Sequence, residues 1–577
     1  MTIGSRALAA VCGLGRPLTR RVSVHRGLSV RARDGVILRT DVYAPVGVDD
    51  APTVLVRTPY GRRGPTAVIA RTVAGYGFHV VVQSCRGTAD SGGVFEPMRR
   101  ERDDGLDAID WLRHQAWYSG AFAMYGPSYV GFTQWAVAAD AGPDLKALAT
   151  SVTAASFRDP TYAGGGFSLD TVLTWSAILD AQRRPPHEAL MEMLRGQPKL
   201  KRALAHPVLA EADALAVGAA VPHFQEWLRE TAADSPYWRE RGHEHRVAEV
   251  AAPVLMMGGW YDIFLPWQLV DHAVLVAAGR RPQLVIGPWH HGSAGLFLAS
   301  VREGVRFLRE HLRGDAVEPA APVRVHIGQH SSPARWAPVL AGGARPHPVR
   351  ADRGSGEWRE MAEWPPPHRV EEWFLGTDGG LAPTGGPGGP GEPGGPGGPG
   401  GPGAGRREFR YDPAHPTPAV GGPRLNGAAA GVRDNRALEA RPDVLVYTSE
   451  PLAEQVEAIG PVRALIRTTS SAPSFDVFVR VCDVAPNGRS ENVCDGFVRV
   501  TGEPGAEHDV AVELWPMAHA FLAGHRIRLQ VSGGAHPRWS RNPGTGAALA
   551  ADGPMVAADR AVLAGSVLWL PRADVQL

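Results

Sequence analysis

The alternation of apolar β-branched runs with helical runs between residues 25 and 145 constrains this chain more than any other feature. "TVLVRTPYG" (53–61) and "FHVVVQSCRG" (78–87) are continuous apolar segments that end in loop residues, as strands buried on both faces do. "RERDDGLDAIDWLRHQ" (100–115) has helical periodicity, with acidic residues in its first turn that complement the helix dipole. "AFAMYG" (121–126) then reads as a strand and "YVGFTQWAVAAD" (129–140) as a helix. Strand–helix–strand order at this spacing predicts a parallel α/β sheet.

The pattern breaks and returns. Between about 150 and 245, strand signals fade, and "SLDTVLTWSAILDAQRR", "HEALMEMLRG" and "VPHFQEWLRE" are helical, which predicts a helical insertion. Alternation resumes with "APVLMMGGWYD" (252–262), "PWQLVDHAVLVAAG" and "RPQLVIGPWHHG" (281–292), and "VREGVRFLREHLRG" (301–314) reads as the last helix of this part. After about 320, short β-rich segments such as "DVLVYTS", "SFDVFVRVCDV", "DGFVRV" and "HRIRLQV" are separated by Gly, Pro and Asn turns. That spacing predicts an antiparallel sandwich or jelly roll.

The expected organisation is a leader over 1–24, an α/β domain over 25–148 and 246–318, a helical insertion over 149–245 and a jelly roll over 319–577. A chain of 577 residues exceeds a single core and fits roughly two to four domains. Residues 385–402 are six triplets, five Gly-Gly-Pro and one Gly-Glu-Pro. So much glycine carries an ordering entropy that no core offsets, so a disordered loop is expected over 385–405.

Net charge is +1, leaving no electrostatic footprint for nucleic acid or an anionic membrane. No apolar run reaches the length of about 18 residues that a membrane span needs. The four cysteines, Cys12, Cys85, Cys482 and Cys494, lack zinc spacing and are too few for a disulfide framework. Cys482 and Cys494 are spaced to face each other across a hairpin, but buried free thiols are the expected state. The N-terminal stretch has arginines around a weak apolar patch, and no Ala-x-Ala cleavage site follows that patch, so the expectation is a cytoplasmic protein with a disordered leader.

The junction "MYGPSYVG" (124–131) places Ser128 between a predicted strand and a predicted helix. That is the setting of a nucleophile elbow, in which side chains at Gly126 or Gly131 would collide as the chain reverses. The competing reading is a serine that caps the following helix. A hydroxyl needs a neighbouring base to become a nucleophile, and α/β hydrolases supply acid and histidine later in the chain, each at a strand end. "VLMMGGWYD" ends in Asp262, and "LVIGPWHHG" ends in His290 and His291.

Other motifs have plainer readings. His243-Glu244-His245 sits in a polar run and reads as a solvated loop rather than a metal site. "RGTADSGG" (86–93) lacks the Lys-Ser/Thr ending of a phosphate loop and reads as a sheet-edge turn. Asp103-Asp104 reads as a helix start. With no GxGxxG or HExxH motif present, no metal or cofactor is expected.

With these segments in view, the chain resembles the cocaine esterase/X-Pro dipeptidyl-peptidase family of serine hydrolases. The resemblance runs from about residue 27 to the end, through "DGVILRTDVYAP", "RTPYGR", "RGTADSGGVFEP", "GGWYDIF", "GPWHHG", "CDVAPNGRSENVCDGFVR" and "FLAGHRIRLQVSGGAHPRWSRNPGTG". It implies an α/β-hydrolase domain with an inserted helical cap and a C-terminal jelly roll. It also implies Ser128 as nucleophile, Asp262 as the orienting acid, and His291 as base through the family's Gly-Pro-Trp-x-His pattern. The oxyanion donors would be the Tyr60 hydroxyl and the Tyr129 amide, and Trp175 and Phe264 match positions lining the acyl pocket of cocaine esterase-like members. For Trp175 the plain alternative is a tryptophan of the cap core.

The leading reading is a carboxylic ester hydrolase for small molecules with a bulky or aromatic acyl group. An X-Pro dipeptidyl-peptidase or related amide or amino-acid ester hydrolase is the alternative. More distant is an inert domain carried by a carbohydrate-binding jelly roll.

Overall fold

The computed structural model describes residues 1–183, 198–330, 356–383, 405–549 and 551–573. Its central sheet follows from the apolar runs. The strands lie in the order Val22–Arg31, Ile37–Pro45, His79–Ser84, Thr53–Thr58, Phe122–Pro127, Leu145–Ser151, Val254–Tyr261, Gln283–His290 and Val323–Gln329. The first two are antiparallel additions and the rest pair in parallel. Alternate residues serve opposite faces, as period two demands. Leu55, Val81 and Met124 pack with Ile109, Leu112 and Trp135, whereas Val54, Val80 and Ala123 pack with Val73, Val305 and Phe307. Each buried Val, Leu, Ile, Met or Phe among them contributes about 1.5–3 kcal/mol. The helices on the first face include Glu101–Arg113, Tyr129–Ala138 and Leu265–Ala277, and those on the second include Pro65–Gly75 and Ala294–Arg313.

The parallel sheet extends past the limit expected at residue 318, because Val323–Gln329 adds to Gln283–His290. The cap includes the helices Leu169–Gln182 and Pro222–Arg229. "HEALMEMLRG" lies outside the described residues, as does the Gly/Pro loop apart from Gly405.

Two antiparallel sheets form the C-terminal sandwich. One joins Arg406–Tyr411, Ala558–Leu563, Val456–Ser470 and Glu507–Phe521; the other joins Val444–Thr448, Arg526–Ser532, Ser474–Val484 and Ser490–Thr501. Ile466 and Val512 of the first share a core with Val479 and Leu529 of the second. The sandwich is tied to the cap by Arg424, which donates to Asp170 at 2.8 Å, and by the Asp170 N–H, which donates to the Pro537 carbonyl at 2.9 Å.

Two expectations are corrected. The leader is not disordered: Ile3–Val11 is a helix whose N-terminus Thr2 caps at the Ser5 amide. Ala9 packs in one core with Ala70 and Val73, and Thr72 donates to the Ser5 carbonyl at 3.2 Å. A helix this short gains its stability from such tertiary contact, which leaves little mark in sequence. The run at 243–245 is not uniformly solvated either. Glu244 and His245 are exposed, but His243 is buried with its ring 5.4 Å from that of Phe132. All four cysteines are buried and free.

Candidate active site

The strand Phe122–Pro127 passes into the helix Tyr129–Ala138 through Ser128, at φ 57° and ψ −128°. Non-glycine residues seldom adopt such angles, and they persist only where the surroundings hold them. A Cβ on Gly126 would lie 2.2 Å from Val130 Cγ1, and one on Gly131 would lie 2.5 Å from Thr153 Cγ2. The reversal therefore requires both glycines. The Ser128 N–H donates to the Ser151 carbonyl at 2.8 Å, and the Ser128 carbonyl accepts from the amides of Gly131 and Phe132. Its side chain makes no helix cap. Instead Oγ lies 3.0 Å from His291 Nε2.

His291 follows the strand Gln283–His290, and Asp262 follows Val254–Tyr261. His291 Nδ1 lies 2.7 Å from Asp262 Oδ2, so the proton on Nδ1 faces a carboxylate and Nε2 is left to accept. The Asp262 carboxylate is fully buried, and its Oδ1 accepts from the Phe264 amide at 2.8 Å. His290 faces away toward the C-terminal domain, where a Cβ on Gly427 would come within 3.0 Å of its ring.

Tyr60 and Ser128 line the same cavity, and burial pushes the pKa of the Tyr60 hydroxyl above its ordinary value, keeping it a donor. Trp175 Nε1 donates to the same hydroxyl at 3.2 Å. Tyr129 is the first residue of its helix, so its amide has no intrahelical acceptor.

A cavity of about 280 Å³ opens beside Ser128, Tyr60 and His291. Phe157, Trp175, Trp227, Ile263 and Phe264 form much of its wall, and no charged side chain lines it among the described residues. The Phe264 ring lies 5.6 Å from that of His291 and 4.8 Å from that of Phe157. Trp175 stacks between Tyr129 at 5.8 Å and Trp227 at 6.0 Å, so it belongs both to the cap core and to the cavity wall. Behind it, burial lowers the His223 pKa to about 3, and the ring is neutral at pH 7.

The seven residues to which the resemblance assigns roles are thus brought together, and His290 is not among them. Sequence reading missed Phe157, Trp227 and Ile263 and, from the C-terminal domain, Leu425. Ile263 stands between two flagged residues and could have been found by position. The others reach the cavity only through packing. Trp515 was missed too: its Nε1 donates to the Asp262 carbonyl at 3.1 Å.

Comparison with known proteins agrees with this architecture. The family profile described as X-Pro dipeptidyl-peptidase (S15 family) matches residues 34–293, and that of the X-Pro dipeptidyl-peptidase C-terminal non-catalytic domain matches residues 341–552. The cocaine esterase of Rhodococcus sp. (strain MB1 Bresler) is 30% identical, over 92% of this chain and 94% of its own. Two solved structures share the fold. An aminopeptidase from the marine sediment archaeon Thaumarchaeota archaeon has a TM-score of 0.74 at 20% identity, covering 96% of this chain and 97% of its own. An α-amino acid ester hydrolase has a TM-score of 0.73 at 21% identity, with the same coverage. The chain belongs to the cocaine esterase/X-Pro dipeptidyl-peptidase family of serine hydrolases.

Proposed function

We propose that the chain hydrolyses carboxylic esters through an acyl-enzyme on Ser128, accepting a bulky or aromatic acyl group. The observation that carries this reading is the relay from Asp262 through His291 to Ser128, at 2.7 and 3.0 Å, opening onto an uncharged aromatic cavity. His291 Nε2 takes the Ser128 proton as Oγ attacks the carbonyl carbon, and Asp262 stabilises the imidazolium that forms. The Tyr60 hydroxyl and the Tyr129 amide hydrogen-bond the tetrahedral oxyanion, and each such donor is worth about 2.7–4 kcal/mol. His291 returns the proton to the leaving alcohol, and a water activated by the same base releases the acid. Trp175 and Phe264 hold the acyl group. The cocaine esterase named among the relatives also favours an ester.

The alternative, an X-Pro dipeptidyl-peptidase, draws support from the description of the S15 profile. A free substrate amine would need an anionic partner, and no Asp or Glu lines the described cavity. The test compares p-nitrophenyl esters with Xaa-Pro-p-nitroanilides. Efficient cleavage of the anilides without the esters overturns the ester reading.

On the same reading, the catalytic domain begins with the strand Val22–Arg31, runs through Leu145–Ser151 rather than stopping at 148, and resumes over 246–318 with the added strand Val323–Gln329. Residues 152–245 form the cap, and the sheets that follow form a structural jelly roll. Free buried cysteines support a reducing, cytoplasmic setting, and no described helix is long and apolar enough to cross a membrane.

A further inference from the structure

Glu101 is the first residue of the helix Glu101–Arg113. Dipole complementarity accounts for an acidic residue there, but not for its burial at 4% exposure. Its carboxylate joins the two elements that carry the oxyanion donors. Oε2 accepts from Arg57 Nη1 at 2.7 Å, and Arg57 lies on the strand Thr53–Thr58 that leads into Tyr60. Oε1 accepts from the Tyr129 hydroxyl at 3.0 Å. The connections are redundant: Arg57 Nη1 also donates to the Glu101 carbonyl at 2.8 Å, and the Met98 amide donates to the Tyr129 hydroxyl at 2.6 Å. Thr58 Oγ1 accepts from the Tyr60 amide at 3.0 Å, locking the turn between Arg57 and Tyr60.

A buried ion pair is seldom worth more to stability than apolar groups of the same volume. Its usefulness here lies in geometry. An oxyanion hole stabilises only if its donors stand where the negative oxygen will form, and a misplacement of about 1 Å can cost about a hundredfold in rate. We infer that Glu101 is a positioning residue, and that the Arg57–Glu101–Tyr129 linkage sets the spacing between the Tyr60 hydroxyl and the Tyr129 amide. Neither Glu101 nor the Tyr129 side chain lines the cavity. This inference rests on the oxyanion roles proposed above.

Tyr129→Phe tests it, because the variant keeps the ring stacked on Trp175 and removes only the bonds to Glu101 and Met98. Three quantities are measured on folded protein: kcat and KM for p-nitrophenyl butyrate, and the affinity of phenylboronic acid, whose tetrahedral adduct with Ser128 resembles the intermediate. The expected result is a fall in kcat of at least about tenfold, KM within about twofold, and boronate affinity weakened by a similar factor. Glu101→Gln, which weakens the tie to Arg57, is expected to move kcat and boronate affinity in the same direction. Unchanged kcat and boronate affinity in folded Tyr129→Phe overturn the inference and leave the ester reading intact. Full turnover by Ser128→Ala instead overturns the reading on which it rests.

Discussion

The cavity beside Ser128 and the strand Ser474–Val484 are built on opposite principles. The cavity has aromatic and aliphatic walls and no charged side chain among the described residues. The strand is buried along its whole length yet carries Asp476, Arg480 and Asp483. Each is matched. Asp476 accepts from Arg499 at 2.7 Å, Arg480 donates to Asp495 at 2.9 Å, and Asp483 holds His519 and His525 at 2.8 and 2.7 Å. Arg538 closes on the second oxygen of Asp495. The difference follows from what each region must do. A cavity that receives an acyl group must give up its water, and a fixed charge would hold water there. Its neighbour Ser490–Thr501 lies close to cap residues Gly164 and Gly166 through Phe497. There, matched charges penalise any slip in register by leaving one of them buried and alone.

The comparison yields predictions of decreasing size. Asp262→Asn, which disturbs the His291 tautomer without altering the cavity, should lower kcat by about ten-thousand-fold in steady-state ester hydrolysis. A loss below about tenfold would mean that Asp262 does not govern the base. Asp495→Ala should act on the other region alone. It leaves Arg480 and Arg538 without their carboxylate and should destabilise the chain by about 3–5 kcal/mol in urea unfolding. The folded fraction should keep its kcat. If Asp495→Ala instead lowers kcat at full stability, the division of labour between the two regions is wrong.

The same division shows how far the sequence carries. The elbow was legible because a strand, two required glycines and a helix are local, and Asp262 and His291 stand at strand ends in the right order. Capping and nucleophile readings of Ser128 diverge only once Oγ is seen facing His291. Leu425 and Trp515 were not legible, because their contacts with the cavity and with Asp262 join residues far apart in the chain and leave no periodic trace. Glu101 was hidden by a sufficient local explanation, the helix start. The helix Ile3–Val11 was hidden because its stabilising partner is the distant helix Pro65–Gly75.

Acid should find the matched region first. Burial alone would raise the Asp483 pKa, but hydrogen bonds from His519 and His525 outweigh it and hold it at about 2. A carboxyl depressed in the folded state stabilises above its unfolded pKa of about 3.9 and loses that contribution as pH falls toward 2. Stability should therefore drop by about 1.5–2 kcal/mol between pH 4 and pH 2 from this group, and Asp483→Asn should make the urea midpoint less steep over that window. An equally steep midpoint in the variant would remove Asp483 as the source. The smallest effect belongs to the cavity: Trp175→Phe keeps an aromatic wall but removes the indole bond to the Tyr60 hydroxyl. A fall in kcat of about three- to tenfold is expected, the worth of one neutral hydrogen bond. No change in kcat would show that Tyr60 is held without it.

The central claim is that Ser128 is the nucleophile. Fluorophosphonate labelling of wild type and Ser128→Ala, read by mass spectrometry beside p-nitrophenyl butyrate hydrolysis, tests it most directly. The account predicts one label per wild-type chain, on the peptide containing Ser128, with no label and only background hydrolysis in the variant. Undiminished labelling and turnover in Ser128→Ala would contradict it.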